Sequence, residues 1–219
     1  MANPILKVAA LAARMLPMSV KHSIYRIKPL AGWIRRGLNF ASPQGLTSVE
    51  VAGGAIQGYW LELDLQTEKD YWLGTYEPNL QAALKSLVKP GWTAYDIGAN
   101  IGYISLILAQ MVGENGRVFA FEALPANLDR MQKNLSLNQL DPGRVKIVPR
   151  AVTNQPGTVQ FLVHSSGEMG KIEGSAGRQT AYASSISITG VSVDAFVFDE
   201  HNPPPQVVKM DIEGGEVLA

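Results

Sequence analysis

The clearest pattern along the chain is a regular exchange of short apolar runs and helically spaced apolar positions between residues 93 and 148. The runs Thr93–Ile97, Arg117–Phe121 and Val145–Val148 predict buried strands. Helical spacing over Tyr103–Met111 and Asn127–Leu137 predicts the two helices that connect them. Strands that alternate with helices of this length predict an α/β fold with a mostly parallel sheet, flanking helices and right-handed crossovers.

The segment that precedes this region follows other patterns. Residues 1–40 predict two short basic helices that separate near Pro17. Residues 46–65 alternate between apolar and polar positions and contain three glycines, which predicts a β-hairpin. Leu80–Val88 has helical spacing and ends before a Pro-Gly turn.

The alternation of helix and strand breaks after residue 150. Thr158–His164 and Ile186–Val193 predict strands, joined by a Gly- and Ser-rich loop of a length typical of functional or mobile segments. Gln206–Ile212 predicts a further buried strand, and Glu213 begins a helix. Because that helix has barely begun where the sequence stops, we expect a C-terminally incomplete piece of a longer protein.

Composition narrows the class of site. The chain has 219 residues, of which 46% are hydrophobic and 17% charged, so neither a disordered nor a membrane-spanning protein is indicated. It has no cysteine, which excludes disulfides and thiolate zinc sites. Its three histidines, His22, His164 and His201, are far apart in sequence, and we expect no local metal cluster.

Charge is distributed unevenly although the formal net charge is zero. Residues 1–49 contain seven basic side chains and no acid, whereas the remainder is acidic overall. Such a basic N-terminal arm could bind an anionic membrane surface, a nucleic acid or the acidic remainder of the protein itself. Few aromatic side chains are interleaved with the cations, so we do not expect nucleic acid as a partner.

The apolar positions of the arm indicate how it is placed. The run Val8–Ala13 is too short for a transmembrane helix or a signal peptide, which favours a cytoplasmic protein. Its spacing favours an amphipathic helix docked on its own domain, with peripheral membrane contact as the alternative. We therefore predict a basic helical arm over residues 1–45 and an incomplete α/β domain over residues 46–219.

The segment Asp96-Ile-Gly-Ala-Asn-Ile-Gly102 carries the first chemical signal, at the end of the first predicted parallel strand. Gly98 and Gly102 predict a turn in which the backbone approaches a ligand closely, beside a helix N-terminus. The spacing differs from the Gly-x-Gly-x-x-Gly of dinucleotide folds, because Asn100 stands at the second glycine position, and no Walker lysine follows. The pattern favours a nucleoside ligand with a cationic, amino-acid-like tail.

Two further groups of acids follow at strand ends. Glu122, at the tip of the second parallel strand, suits a ribose diol. Lys209, Asp211 and Glu213 alternate along the last strand and so share one side of it. Charges at the end of a buried strand are costly, so they require a function or mutual pairing.

Five motifs in this order and spacing resemble the FkbM-type S-adenosylmethionine-dependent methyltransferases, over residues from about 70 to 219. The motifs are Gly74-Thr-Tyr-Glu-Pro78, Asp96-Ile-Gly-Ala-Asn-Ile-Gly-Tyr103, Phe121-Glu-Ala-Leu-Pro125, Asn134 with Asn138, and Lys209-Met-Asp-Ile-Glu-Gly-Gly-Glu216. The resemblance implies a class I Rossmann-like methyltransferase fold that binds S-adenosylmethionine at its strand tips. The family normally continues for several more strands than this chain contains.

The resemblance also implies roles for single residues. The turn from Asp96 through Gly98, Ala99, Asn100 and Gly102 would face the methionine part of the cofactor, and Glu122 the ribose hydroxyls. Asp211 would lie near the methionyl end or the reacting methyl group. Glu77 would close the cofactor pocket, and the backbone of Ala151 would contact the adenine.

The reaction implied is methyl transfer to a hydroxyl oxygen of a small molecule, sugar or lipid. Asp211, Glu213 and Lys209 are the candidate catalytic residues, with the two acids as candidate bases and His164 as a weaker one. The alternative is a non-catalytic module that binds the cofactor, a partner or a membrane. A nicotinamide-dependent oxidoreductase is disfavoured by Asn100.

Overall fold

The computed structural model describes residues 3–16, 20, 23–24, 26–164, 170–175, 182–212 and 216. The chain divides into two compact units, Met1–Ser86 and Leu87–Ala219. Residues 46–86 thus cluster with the N-terminal helices. The domain boundary near residue 45 stays a prediction, because compact packing alone does not assign a segment to a functional domain.

The first unit is built from helices around one hairpin. Its elements are helices α1 (Pro4–Met15), α2 (Lys28–Ala41), α3 (Lys69–Leu73) and α4 (Pro78–Leu87) and strands β1 (Leu46–Glu50) and β2 (Trp60–Asp64). The two strands pair antiparallel, with Val49 opposite Leu61, which confirms the predicted hairpin. Val49, Leu61, Leu63 and Trp72 are fully or almost fully buried and form its apolar centre.

A cavity of about 470 Å³ lies between α1, α2 and α3. Alanines of α1 line one side of it, and larger apolar and charged side chains of α2 and α3 line the rest. Lys69 is buried at its wall and donates hydrogen bonds to the carbonyl oxygens of Leu65 and Gln66. Burial lowers the pKa of Lys69. Two side chains of α1, Leu6 and Ala13, are buried.

The second unit contains the parallel sheet. Its elements are β3 (Thr93–Ile97), α5 (Tyr103–Val112), β4 (Arg117–Phe121), α6 (Pro125–Leu137), β5 (Val145–Val148) and β10 (Val207–Met210). The strand order is β10-β3-β4-β5, and all neighbours are parallel. The structure confirms the predicted α/β fold. The order reverses between β3 and β10, and open α/β sheets bind ligands at the carboxyl ends of strands at such a switch point.

A second, mostly antiparallel sheet follows in the chain. Its strands are β6 (Ala151–Val152), β7 (Gly157–His164), β8 (Gly170–Ile172) and β9 (Tyr182–Val191), in the order β6-β9-β7-β8. The prediction of a loop up to residue 185 was wrong in part, because β8 and the start of β9 occupy described parts of it. The Ser-rich start of β9 pairs with β7, and most of its side chains are exposed. Because this pairing buries few apolar side chains, the sequence has no apolar pattern there.

The predicted strand at Gln206–Ile212 is present as β10, but it is less buried than the sequence predicted. It lies at the edge of the four described strands, and the side chain of Val208 is exposed. The sequence pattern showed apolar residues but not the neighbours of the strand. Among the described residues, no helix has both the length and the apolar character required to cross a bilayer.

Aromatic side chains hold the core of the second unit. Tyr95, Phe119 and Phe121 surround Phe196, with ring centroids 4.9 to 5.7 Å from it at steep interplanar angles. Phe196 is carried by a short π-helix, Ala195–Asp199. Edge-to-face contacts of this kind add to the stabilisation that burial provides.

Two polar contacts border the same core. Tyr95 is fully buried and donates a hydrogen bond to the Pro203 carbonyl oxygen at 2.7 Å. Burial raises the pKa of Tyr95 to about 12. Arg150 lies over the Phe196 ring and pairs with both carboxylate oxygens of Glu200, and this hydrogen bonding lowers the pKa of Glu200.

Replacement of Phe196 by alanine is expected to destabilise the protein by about 3–5 kcal/mol, because it leaves a cavity among the aromatic rings. The measurement is urea unfolding followed by tryptophan fluorescence. Phe198 is the matched control, since it is 70% exposed two residues further along. Phe198→Ala should stay within about 0.5 kcal/mol of the original protein. Equal losses for both variants would contradict the assigned core.

The raised pKa of Tyr95 makes stability fall as the pH rises from 10 to 12, because the unfolded tyrosine releases its proton near pH 10 and the folded one only near 12. Unfolding free energies at pH 9 and 11.5 measure this loss. The original protein should lose about 2 kcal/mol more over this interval than Tyr95→Phe, which cannot titrate. Parallel losses would show that Tyr95 is not the group responsible.

Candidate active site

The turn that follows β3 is attached to the end of β4. The backbone N–H groups of Gly98 and Ala99 both donate to the Phe121 carbonyl oxygen, at 3.0 and 2.9 Å. Gly98, Asn100 and Gly102 all have left-handed φ values, of 77°, 51° and 84°. Glycine tolerates this region freely and asparagine better than most residues. The sequence Gly-Ala-Asn-Ile-Gly therefore matches the conformation of the turn.

Both glycines are required by close packing within the protein. A Cβ atom on Gly98 would overlap the carbonyl oxygen of Asp211, at the end of β10. A Cβ atom on Gly102 would lie 2.8 Å from Cγ of Met131, on α6. The sequence predicted that Gly98 makes room for a ligand, whereas the structure fills this room with the end of β10. Gly98 thus allows β10 to reach the turn.

Asp96 lies at the centre of the site and is fully buried. The Ser105 hydroxyl, on α5, donates to Oδ2 of Asp96 at 2.6 Å. The Lys209 ammonium lies 3.2 Å from Oδ1 of Asp96 and donates a hydrogen bond to the Gly98 carbonyl oxygen at 2.8 Å. Oδ1 has an ion pair but, among the described residues, no aligned hydrogen-bond donor. The charge of Asp96 is therefore compensated from the neighbouring strand.

This ion pair explains how the charge of Lys209 on β10 is compensated. Lys209 stands opposite Asp96 in the parallel register, so its partner comes from β3. The sequence placed Lys209 beside Asp211 and Glu213 along one strand. Asp211 is exposed, and its N–H group donates to the Ile97 carbonyl oxygen at 3.0 Å. Glu213 lies outside the described residues, and its role as a base stays a prediction.

Glu122 is almost completely buried at the tip of β4 and is held by backbone donors. Its Oε1 accepts from the N–H groups of Ala123 and Leu124, each at 2.9 Å. Its Oε2 accepts from the N–H group of Asn100 at 2.8 Å. An ionised carboxylate has about four acceptor positions, so these three bonds leave one on Oε2. Backbone N–H groups of the protein thus fix the orientation of the carboxylate.

Contacts join Asp96, the Gly98–Gly102 turn, Glu122, Lys209 and Asp211, and three other predicted residues are on other elements of the described chain. Ala151 is on β6 and pairs with Gly190 in the second sheet. Glu77 is an exposed residue of the first unit, just before α4, with a left-handed φ of 45°. His164 ends β7. The roles predicted for Ala151 and Glu77 stay predictions.

Two residues that orient the site had no predicted role. Ser105 is a fully buried hydroxyl on the apolar face of α5 and donates to Asp96. Asn134 is a fully buried amide on α6 that donates to the Ile101 carbonyl oxygen at 2.9 Å, which holds the turn from the other side. A polar residue on a solidly apolar helix face was the available signal for Ser105.

Comparison with known proteins places this chain in a family. The profile of the Methyltransferase FkbM domain matches residues 96–219. The hexuronic acid methyltransferase AglP of Haloferax volcanii is 26% identical over 165 residues, which are 74% of this chain and 64% of that protein. A protein-L-isoaspartate O-methyltransferase of Caenorhabditis elegans is 33% identical over 78 residues, 32% of this chain and 35% of that protein.

A solved structure of methyltransferase FkbM from Methylobacillus flagellatus is 18% identical, with a TM-score of 0.39, and the match covers 71% of this chain and 38% of that one. The chain thus spans less than two thirds of the length of the relatives it matches. The profile match covers more than half of the chain and includes Asp96, Glu122 and Lys209. The chain belongs to the FkbM methyltransferase domain family, which confirms the resemblance of its motifs and implies S-adenosylmethionine as its cofactor.

Proposed function

We propose that the protein transfers a methyl group from S-adenosylmethionine to an oxygen atom, most simply a hydroxyl, of a small molecule, sugar or lipid. One observation carries the proposal. Two carboxylates, Asp96 and Glu122, stand at the carboxyl ends of adjacent parallel strands and are joined by one glycine turn at the switch point of the sheet. Ligands of open α/β sheets bind at this position.

The hydrogen-bond acceptor position that remains on Oε2 of Glu122 supports the proposal that the ligand is a nucleoside. Its Oε2 has one position to accept a hydroxyl hydrogen, and the three backbone bonds fix its direction. To accept hydrogen bonds from both hydroxyls of a ribose, the Glu122 carboxylate must lengthen one of its three hydrogen bonds with backbone N–H groups. Glu122 is therefore the residue that we expect to hold the ribose.

Asp96 supports the site in a different way from the one its sequence position suggested. Its charge is already balanced by Lys209, so a cationic ligand group would not meet an isolated carboxylate there. The pair instead holds the Gly98 carbonyl oxygen, and with it the turn, against β10. We infer that Asp96 and Lys209 position the cofactor-binding turn, and that Lys209, as a paired cation, does not act as a base.

S-adenosylmethionine supplies, when bound, an electrophilic methyl group on a sulfonium. The contribution of the chain is to orient an acceptor oxygen and, where that oxygen is a hydroxyl, to accept its proton. Asp211 is the described candidate for this base, because it is an exposed carboxylate at the carboxyl end of β10, directly beside the turn. Glu213 is the second candidate.

The relative named a hexuronic acid methyltransferase supports a sugar acid as an acceptor. A hexuronic acid offers hydroxyl oxygens, which must lose a proton, and a carboxylate oxygen, which need not. We propose a hydroxyl as the acceptor. Because the match spans 64% of that relative, the activity and the acceptor that we propose are those of the whole protein.

Calorimetric titration should show that the chain binds S-adenosylmethionine and does not bind NAD⁺. Glu122→Ala should weaken binding roughly 10- to 100-fold, because it removes a charge-assisted hydrogen bond to the ribose. Glu114→Ala is the matched control, an exposed glutamate in the turn that precedes β4, and it should bind normally. The proposal fails if the original protein shows no binding, or if both variants lose it equally.

With labelled cofactor and a hexuronic acid as the acceptor, the protein should form a methylated product. The label in this product should survive mild alkali, because a methyl ether is stable there and a methyl ester is hydrolysed. Asp211→Asn should lower this rate by about 100-fold or more if Asp211 accepts the hydroxyl proton. Binding of S-adenosylmethionine by Asp211→Asn should remain. Cofactor binding without transfer to any sugar, lipid or small-molecule hydroxyl would favour the non-catalytic alternative.

A further inference from the structure

Exposed apolar side chains are concentrated in the N-terminal helices. Eleven of the sixteen large apolar side chains that the described residues expose lie between Ile5 and Phe40. The other five are spread from Leu46 to Val208. Single exposed apolar residues require no explanation, but eight of the eleven are on α1 and α2, and such a concentration indicates an interaction surface.

On α1 the exposed apolar residues share one face. Val8, Leu11 and Met15 are separated by three and four positions, and Met15 is 73% exposed. Leu6 and Ala13, which belong to the other side of the helix, are buried. Helix α1 is therefore docked along one side, as the sequence predicted, and presents a second apolar face to the outside.

On α2 the exposed face is aromatic. Trp33 and Phe40 are two helical turns apart and are 75% and 91% exposed, whereas Leu38 and Ala41 are buried. Arg36, three positions after Trp33 and four before Phe40, is exposed between them on the same face. Two large aromatic rings with a cation between them thus extend from the surface of this helix.

The charged side chains of the segment that carries these faces have a single sign. Residues 1–49 contain seven basic side chains and no acid. One of the cations, Arg14, is paired with Glu50 at 2.5 Å, while Lys7, Arg26, Lys28 and Arg36 are exposed. Apolar faces bordered by lysine and arginine are typical of helices that lie in a membrane interface. We define Val8, Leu11, Met15, Trp33, Arg36 and Phe40 as the interfacial face.

We propose that the interfacial face attaches the protein to the surface of a membrane that contains anionic lipid. The cations would lie at the lipid phosphates and the apolar side chains among the acyl chains just below them. Nucleic acid is a poorer fit, because Val8, Leu11 and Met15 gain nothing from phosphates. A symmetrical dimer through the same face is also a poorer fit, because it would bring like charges together.

The first experiment is cosedimentation of the full chain with vesicles of neutral phosphatidylcholine, with or without 30 mol% anionic phosphatidylserine. The chain should bind the anionic vesicles at least about tenfold more tightly than the neutral ones, since each cation near the surface contributes roughly fivefold. Binding should weaken as the salt concentration rises from 50 to 500 mM. Equal binding to both vesicle types, or none to the anionic ones, overturns the proposal.

Matched variants test the face itself. Trp33→Ser with Phe40→Ser should weaken binding to anionic vesicles by roughly tenfold, because both rings leave water on binding. Phe198→Ser removes an equally exposed aromatic ring of the second unit and should have no effect. Arg36→Gln should weaken binding roughly fivefold at low salt, whereas Arg117→Gln, an exposed arginine on β4, should not.

Light scattering separates the lipid surface from a second copy of the chain as the partner. The proposal requires that the original protein and the Trp33, Phe40 double variant have the same molar mass over a range of concentrations without vesicles. Self-association that the double variant abolishes would overturn it, as would vesicle binding that the double variant retains. Equal thermal midpoints for all variants show that these exposed substitutions leave the fold intact.

Discussion

The ion pair between Lys209 and Asp96 is the contact on which the site depends. Asp96 is fully buried at the end of a central strand, where an uncompensated charge would be prohibitively costly. Lys209 supplies the opposite charge from the adjacent strand and binds the Gly98 carbonyl oxygen with the same ammonium group. Removal of either partner of such a pair costs about 3–5 kcal/mol, since the other is left buried and unpaired.

The pair also sets the geometry of the neighbouring groups. By holding the turn between β10 and β4, it places the Asn100 N–H group on Oε2 of Glu122. Ser105 and Asn134 support the turn from the two following helices. The carboxylate that we assign to the ribose is therefore fixed by backbone donors from three residues. Such preorganisation lowers the conformational entropy that the site itself loses when a ligand binds.

Much of the parallel sheet could be predicted from the sequence, because a buried strand needs a continuous apolar run. The bounds of β3, β4 and β5 agree with the prediction residue by residue. The pairing of β9 could not be predicted in the same way, because its Ser-rich half is exposed and has no apolar signal. The pattern of apolar residues predicts which strands are buried, but it does not predict which strand pairs with which.

The same limit applies to the site. The carboxylates and the glycine turn were recognised from residue type and spacing, but their partners were not. Lys209 pairs across strands with Asp96 because the parallel register places them side by side, which its own strand does not reveal. Gly98 is required by the Asp211 carbonyl oxygen, more than one hundred positions later in the chain.

We propose above all that Glu122 holds the ribose of S-adenosylmethionine, and a double-mutant cycle tests this role most directly. The affinities of S-adenosylhomocysteine and its 2′,3′-dideoxy analogue are measured with the original protein and with Glu122→Gln. If Glu122 binds the ribose hydroxyls, their loss should weaken binding at least about tenfold in the original protein and hardly at all in the variant. The same loss in both proteins would contradict the assignment.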